Sequence, residues 1–269
     1  MSDTMPDIMP SKAMLLAGLR DRIRRIEGVG GNGARVLPLG VPELDGALPD
    51  GGLPLGCLHE LAGPEMARGA ATAFAAALLA RLAAGEKAGG PAMGPAVWIV
   101  RGRDLHAPGL AAYGLLPDRL IAVRAARDTD ALWAMEEALR CRRLSAVLGE
   151  VGAVDLTASR RLQLAAEAGG VTGLLLRTGR GAGRVLAEAS AAVTRWQIAA
   201  APSVPDEPGV GPARWRAELL RCRGGRPGSW LLEWRDGGLV VPGPFPARTT
   251  RPTPEPMPVT LPDRWAEVA

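Results

Sequence analysis

The chain has 269 residues and a formal net charge of +4, enough length for one large or two small domains around a sizeable core. No apolar run of about 18 residues marks a membrane span. Three scattered cysteines, Cys57, Cys141 and Cys222, give neither a disulfide framework nor metal spacing. The positive charge is almost all arginine, with Lys12 and Lys87 the only lysines. It permits nucleic-acid contact without demonstrating it. In a chain this rich in Ala, Gly and Pro, a GC-rich genome accounts for the arginines, so each cluster is judged by its position.

The opening MSDTMPDIMPSKAM lacks the basic-then-apolar layout of a signal peptide, and cytoplasmic residence with reduced thiols is expected. Residues 1–10 read as disordered. Met14, Leu15, Leu16, Leu19, Ile23 and Ile26 recur at helical spacing, and the glycines from Gly28 to Gly33 end that helix. Residues 1–33 thus form a helix and glycine hinge, packed either on the chain's own domain or on a neighbour. Residues 34–241 form the α/β domain and 242–269 a proline-rich tail.

Within the domain, Arg35–Leu39 is a short strand, followed by the turn-rich GGLPLGC and a strand from Leu58 to Leu61. A loop opening on Gly63-Pro64 leads to an alanine-rich helix from Gly69 to Ala84, apolar all round and therefore to be covered on every side. Strand, glycine loop and helix is the layout of a phosphate-binding loop, G-x-x-x-x-G-K-[ST]. Counting from Gly63, the second glycine and the lysine positions hold Arg68 and Gly69, and the hydroxyl position holds Ala70. Shifting by one leaves Ala70 and Ala71 where lysine and hydroxyl belong.

Ala96–Val100 is a continuous apolar run, a buried parallel strand that exits into Arg101-Gly102-Arg103, with Asp104 the first carboxylate. A helix over Pro108–Tyr113, a strand over Leu120–Arg124 and a helix over Thr129–Cys141 capped by Asp128 follow. Ala146–Val151 is the next strand and carries Glu150; Leu156–Ala168 is a helix and Val171–Leu176 another buried strand. This alternation argues a mainly parallel sheet with right-handed crossovers. Arg177, Arg180 and Arg184 then fall in the loop RTGRGAGR, which is either solvated or a contact for DNA phosphates. Strands over Ala192–Ala200, Arg214–Arg223 and Ser229–Trp234 follow, the last two joined as an antiparallel hairpin by RGGRPG. The apolar parity of Trp215, Leu219 and Cys222 changes once, which predicts a bulge. Trp196, Trp215, Trp230 and Trp234 are expected in the core, with base stacking the alternative. In the tail, Leu261, Trp265 and Val268 fall at i, i+4 and i+7, the pattern of a short helix that docks in another protein's groove. Folding of Trp265 back onto its own domain is the other reading.

The segment GGLPLGCLHELAGPE, with Leu44-Asp45 before it, resembles the approach of the RecA/RadA recombinase family to its phosphate loop. The lost lysine and the segment Arg214–Trp234 narrow the resemblance to the ImuA family, RecA-like proteins of bacterial inducible-mutagenesis operons, over roughly residues 35–240. The resemblance implies a RecA-like core. It places Glu150 at the magnesium-orienting position and the Arg177–Arg184 loop where recombinases bind single-stranded DNA, although theirs is longer. It implies a non-enzymatic accessory protein of translesion DNA synthesis, without cofactor or metal. Its partners would be an ImuB-like relative of Y-family polymerases, a DnaE-like error-prone polymerase and RecA, with weak single-stranded DNA binding. The alternatives are a P-loop ATPase or recombinase in which Arg68 replaces the lysine, and a SulA-like cell-division inhibitor. His59 and His106 stand alone, so no metal site is expected.

Overall fold

Strands β4 (Ala96–Val100), β6 (Ala146–Val151) and β7 (Thr172–Arg177) are buried almost end to end, as continuous apolar runs must be when a sheet is covered on both faces. The computed structural model describes residues 18, 35–64, 68–84, 94–178, 188–203 and 211–243. The expected helix before Gly28 lies outside them except for Gly18, which is helical, as does nearly all of the tail.

Among the described residues the main sheet has nine strands in the order β11-β10-β9-β8-β3-β7-β6-β4-β5. From β8 (Thr194–Ala200) through β3 (Leu58–Ala62) to the edge strand β5 (Leu120–Arg124), every neighbouring pair is parallel. Strands β9 (Arg214–Cys222), β10 (Gly228–Arg235) and β11 (Gly238–Val240) continue it as an antiparallel wing. The fold is therefore the expected α/β architecture, with a mainly parallel sheet and a tryptophan-rich hairpin. Strand β11 was invisible to periodicity because three residues cannot show one. A separate two-stranded ribbon pairs β1 (Val36–Leu37) with β2 (Leu53–Pro54).

Two cores lie on opposite faces of the sheet. On one, helix α2 (Arg68–Ala83) crosses β8, β6, β7, β3 and β4. Its alanines, buried from Ala75 to Ala77, let its backbone lie close to the strands, while Phe74, Leu78, Leu79 and Leu82 fill the gaps. The ribbon and the short helix α1 (Pro42–Asp45) contribute Leu37, Leu39, Leu44 and Leu53 to the same core. The Asp45 carboxylate accepts from the N–H groups of Leu39 and Gly40 and fixes that turn. Arg81 of α2 donates to the Pro38 carbonyl.

On the other face, α4 (Asp128–Leu139) and α5 (Leu156–Gly169) cover β4, β6 and β7 through Met135, Leu139, Leu162 and Ala166. A Cβ at Gly149 would stand 2.7 Å from the Met135 sulfur, so glycine sets how closely α4 approaches β6. Asp155 caps α5 at its start, and Gly170 ends it in the left-handed region at φ +68. The short helix α3 (Ala107–Ala111) is capped by His106 Nδ1, which accepts from Gly109 N.

Asp128 does not cap its own helix. Its oxygens accept from Gly152 N and Ala153 N, both at 3.0 Å, and it pairs with Arg101 at 3.1 Å. Those N–H groups leave the end of β6 with no strand partner, and satisfying them outweighs a surface cap. The predicted bulge is present: Arg195 faces Arg221 and Trp196 faces Leu219, which leaves Leu220 as the extra residue on β9.

Candidate functional site

The chain runs from β3 outward to β4 and β5, then returns to lay β6 and β7 between β4 and β3. That reversal opens a crevice at the carboxyl ends of the strands, the usual ligand position of open α/β sheets. A cleft of about 790 Å³ lies there, lined among others by Arg68, Gly69 and Thr72 of α2, Trp98 and Glu150 of the sheet, and Tyr113.

At the start of α2, Arg68 and Gly69 are exposed and Ala70 half-buried. Gly63 lies just beyond β3 and does not line the cleft. The first hydroxyl of the helix is that of Thr72, which donates to the Arg68 carbonyl at 3.0 Å. It lies two residues past the position where a phosphate loop carries one, so motif counting passed over it.

Glu150 projects into this cleft from β6. One oxygen accepts from the indole N–H of Trp98 at 2.8 Å and the other from Arg101 N at 3.2 Å. Both oxygens of the carboxylate thus hold neutral donors from the neighbouring strand and its exit. Trp98 is fully buried, so the carboxylate is the indole's answer to its own desolvation.

The structure corrects the assignment of Arg177 to a DNA-binding loop. Arg177 is the last residue of β7 and only 2% exposed. It donates to Glu60 Oε1 at 2.7 Å and to the Gly152 carbonyl at 3.1 Å. Glu60, fully buried on β3, takes Arg195 of β8 on its other oxygen at 2.9 Å. A buried carboxylate flanked by two guanidiniums on adjacent strands ties β7, β3 and β8 together. Sequence reasoning missed it because the three residues are far apart in the chain, although the charge of Glu60 inside the apolar run LHELA was a visible signal. Arg180 and Arg184, like Leu261, Trp265 and Val268, lie outside the described residues.

His59 is fully buried beside this cluster on β3. Its Nε2 is 2.8 Å from the Pro54 carbonyl and its Nδ1 is 2.7 Å from Thr194 Oγ1, which also accepts from Trp196 Nε1. That network assigns the proton to Nε2, with Thr194 donating to Nδ1. Burial lowers the imidazole pKa to about 4, against which the Pro54 contact acts weakly. Burial likewise pushes the Cys57 thiol up to about 12 and Cys222 to about 11, so neither is a ready nucleophile. Among the described residues no group of three or more His, Cys, Asp or Glu is arranged to hold a metal, and no helix is long and apolar enough to cross a membrane.

These features define an α/β protein with a cleft at the carboxyl ends of its parallel strands. No family model matches the chain. It is 46% identical over 223 residues to Protein ImuA of Caulobacter vibrioides strain NA1000 / CB15N, covering 79% of this chain and 88% of that protein. The same figures hold for Protein ImuA of strain ATCC 19089 / CIP 103742 / CB 15 of that species. The chain belongs to the ImuA family.

Proposed function

We propose that this chain is a non-catalytic, RecA-like accessory protein of damage-induced mutagenic DNA synthesis, working in the cytoplasm through protein contacts. Membership of the ImuA family supports the link to induced mutagenesis. The strand order and the position of the cleft support the RecA-like part of the reading. The observation that carries the non-catalytic part is the state of Glu150. Its two oxygens are engaged by Trp98 and Arg101, and Gly69 and Ala70 stand where a lysine and a hydroxyl would have to act. Arg68 is an unsuitable substitute for the lysine, because its forked guanidinium is bulkier than a compact ammonium.

In this reading the partners are an ImuB-like relative of Y-family polymerases, a DnaE-like polymerase and RecA. The C-terminal tip with Leu261, Trp265 and Val268 supplies one docking element, and Arg180 and Arg184 a weak contact with single-stranded DNA. A nucleoside triphosphate would find no lysine and no hydroxyl at the phosphate-loop positions of the cleft. Each missing charge-assisted contact costs about 1.5–3 kcal/mol, and the set several decades of affinity. Titration calorimetry with ATP and magnesium should give no binding at micromolar concentrations, while the purified ImuB-like protein should bind the chain. Micromolar, magnesium-dependent ATP binding would return the chain to the ATPase class.

A further inference from the structure

A second groove, of about 540 Å³, runs between the outer flank of α5 and the region where β8 begins and β9 ends. Part of its lining is aliphatic: Leu156 and Leu164 on α5, Ala189 and Ala191 on the segment entering β8. Leu164 is 63% exposed while Leu162, two residues earlier, is buried in the core, so the packing of α5 on the sheet does not account for Leu164. The rim is basic. Arg160 rises from α5, and Arg221 and Arg223 from the end of β9. The last two are held in place by donating to the Ser190 and Ala191 carbonyls, at 3.3 and 3.2 Å. Among the described residues one carboxylate, Glu167, lines the groove, and it accepts from Gln163 Nε2 at 2.7 Å. Among the described residues of the lining, three arginines therefore stand with one acid. The bulge residue Leu220, 37% exposed, precedes Arg221 in the chain.

We propose that this groove docks an acidic segment of a protein partner that carries one or two aliphatic anchors. The proposal rests on the reading above, that the chain works by protein contacts, and it assigns a surface to one of them. Exposed aliphatic side chains beside like-charged arginines suit a protein interface, in which anchors supply the burial and complementary charges set orientation and encounter rate. The volume suits a few side chains. A nucleic-acid strand fits less well, because among the described residues no aromatic side chain lines the groove for base stacking.

The test uses the full chain and the purified ImuB-like protein. Leu164→Asp and Arg160→Glu, both at exposed positions, should leave the melting temperature unchanged and weaken binding at least tenfold. In the unsubstituted protein, partner addition should slow hydrogen exchange across residues 156–167 and the 189–191 segment. If the unsubstituted chain does not bind the ImuB-like protein, the functional reading falls and the groove's assignment with it. If it binds and both variants bind within twofold, or exchange in α5 does not slow, the groove alone is wrong. Loss of oligo(dT) binding in Arg160→Glu, with partner binding intact, would make the surface a nucleic-acid site and overturn the proposal.

Discussion

At the scale of single residues, charge is placed by what it touches rather than by its neighbours in the chain. Arg177 begins a run of arginines in a glycine-rich loop, yet its guanidinium is inside the sheet on Glu60. Removing one member of a buried ion pair leaves a desolvated charge behind, at a cost of roughly 3 kcal/mol. Arg177→Ala should therefore lower the melting temperature by about 6–12 °C. Arg180→Ala with Arg184→Ala should leave melting alone and, if that loop meets DNA, flatten the salt dependence of oligo(dT) binding. Equal melting curves for Arg177→Ala and the parent would contradict the Glu60 assignment.

His59 carries the second prediction at this scale. Its folded pKa, about 4, lies below the ordinary 6.5, so between those values the unfolded chain takes up a proton that the native protein refuses. The neutral imidazole's contribution is complete above pH 6.5 and is lost as pH falls toward 4, a change of about 3 kcal/mol. His59→Gln keeps a donor and an acceptor but does not titrate. Urea unfolding should show the parent losing stability more steeply than the variant between pH 6.5 and 4.5, and parallel curves would rule the assignment out.

At the scale of elements, the aromatic residues join pieces that the chain keeps apart. Trp215 of β9 meets Phe74 of α2 edge-on at 5.5 Å and Tyr113, just past α3, at 6.2 Å. Tyr113 also lies 5.7 Å from Trp234 of β10, whose indole donates to the Ala112 carbonyl. The cluster therefore fastens the α3 segment, one wall of the main cleft, to the antiparallel wing. Trp215 is 1% exposed, and Trp215→Ala should cost about 3–5 kcal/mol. If the cluster works as a fastening, that variant should also be cut by protease within residues 105–113 before it unfolds globally. Cleavage elsewhere first would show that Trp215 serves only as core volume.

At the scale of the whole molecule, the two halves of the sheet follow different rules. The parallel half is covered by α2 on one side and by α4 and α5 on the other, and its central strands are mainly apolar, with Glu60, Arg177 and Arg195 paired among themselves inside it. The wing buries Trp215, Ala217 and Leu219 against α2 and alternates them with Arg216 and Glu218. Its polar face carries a second fully buried carboxylate, Glu233, held by Arg214 at 2.6 Å and by Arg235. The docking groove lies where the cover of α5 gives way to this wing, which is where an α/β core has surface left over for a partner.

The sequence alone was enough for the strands of the parallel half, the burial of most of α2, the hairpin and the bulge. Each of these is a local period or a run of one hydropathy, and local patterns are set by which face a residue must hide. It was also enough to show that the stretch from Gly63 to Ala71 lacks the lysine and hydroxyl of a phosphate-loop motif, since that is a matter of residue type at fixed spacing. Tertiary structure alone decided the partners of isolated charges. Glu60 could be seen as an acid in an apolar strand, but not that Arg177 and Arg195, more than a hundred residues away, would meet it from both sides. The same holds for Asp128, which reads as a helix cap and instead serves the backbone at the end of β6. A buried polar group must be satisfied by whatever donor the fold brings within 3 Å, and that choice depends on strand order, which no local pattern encodes.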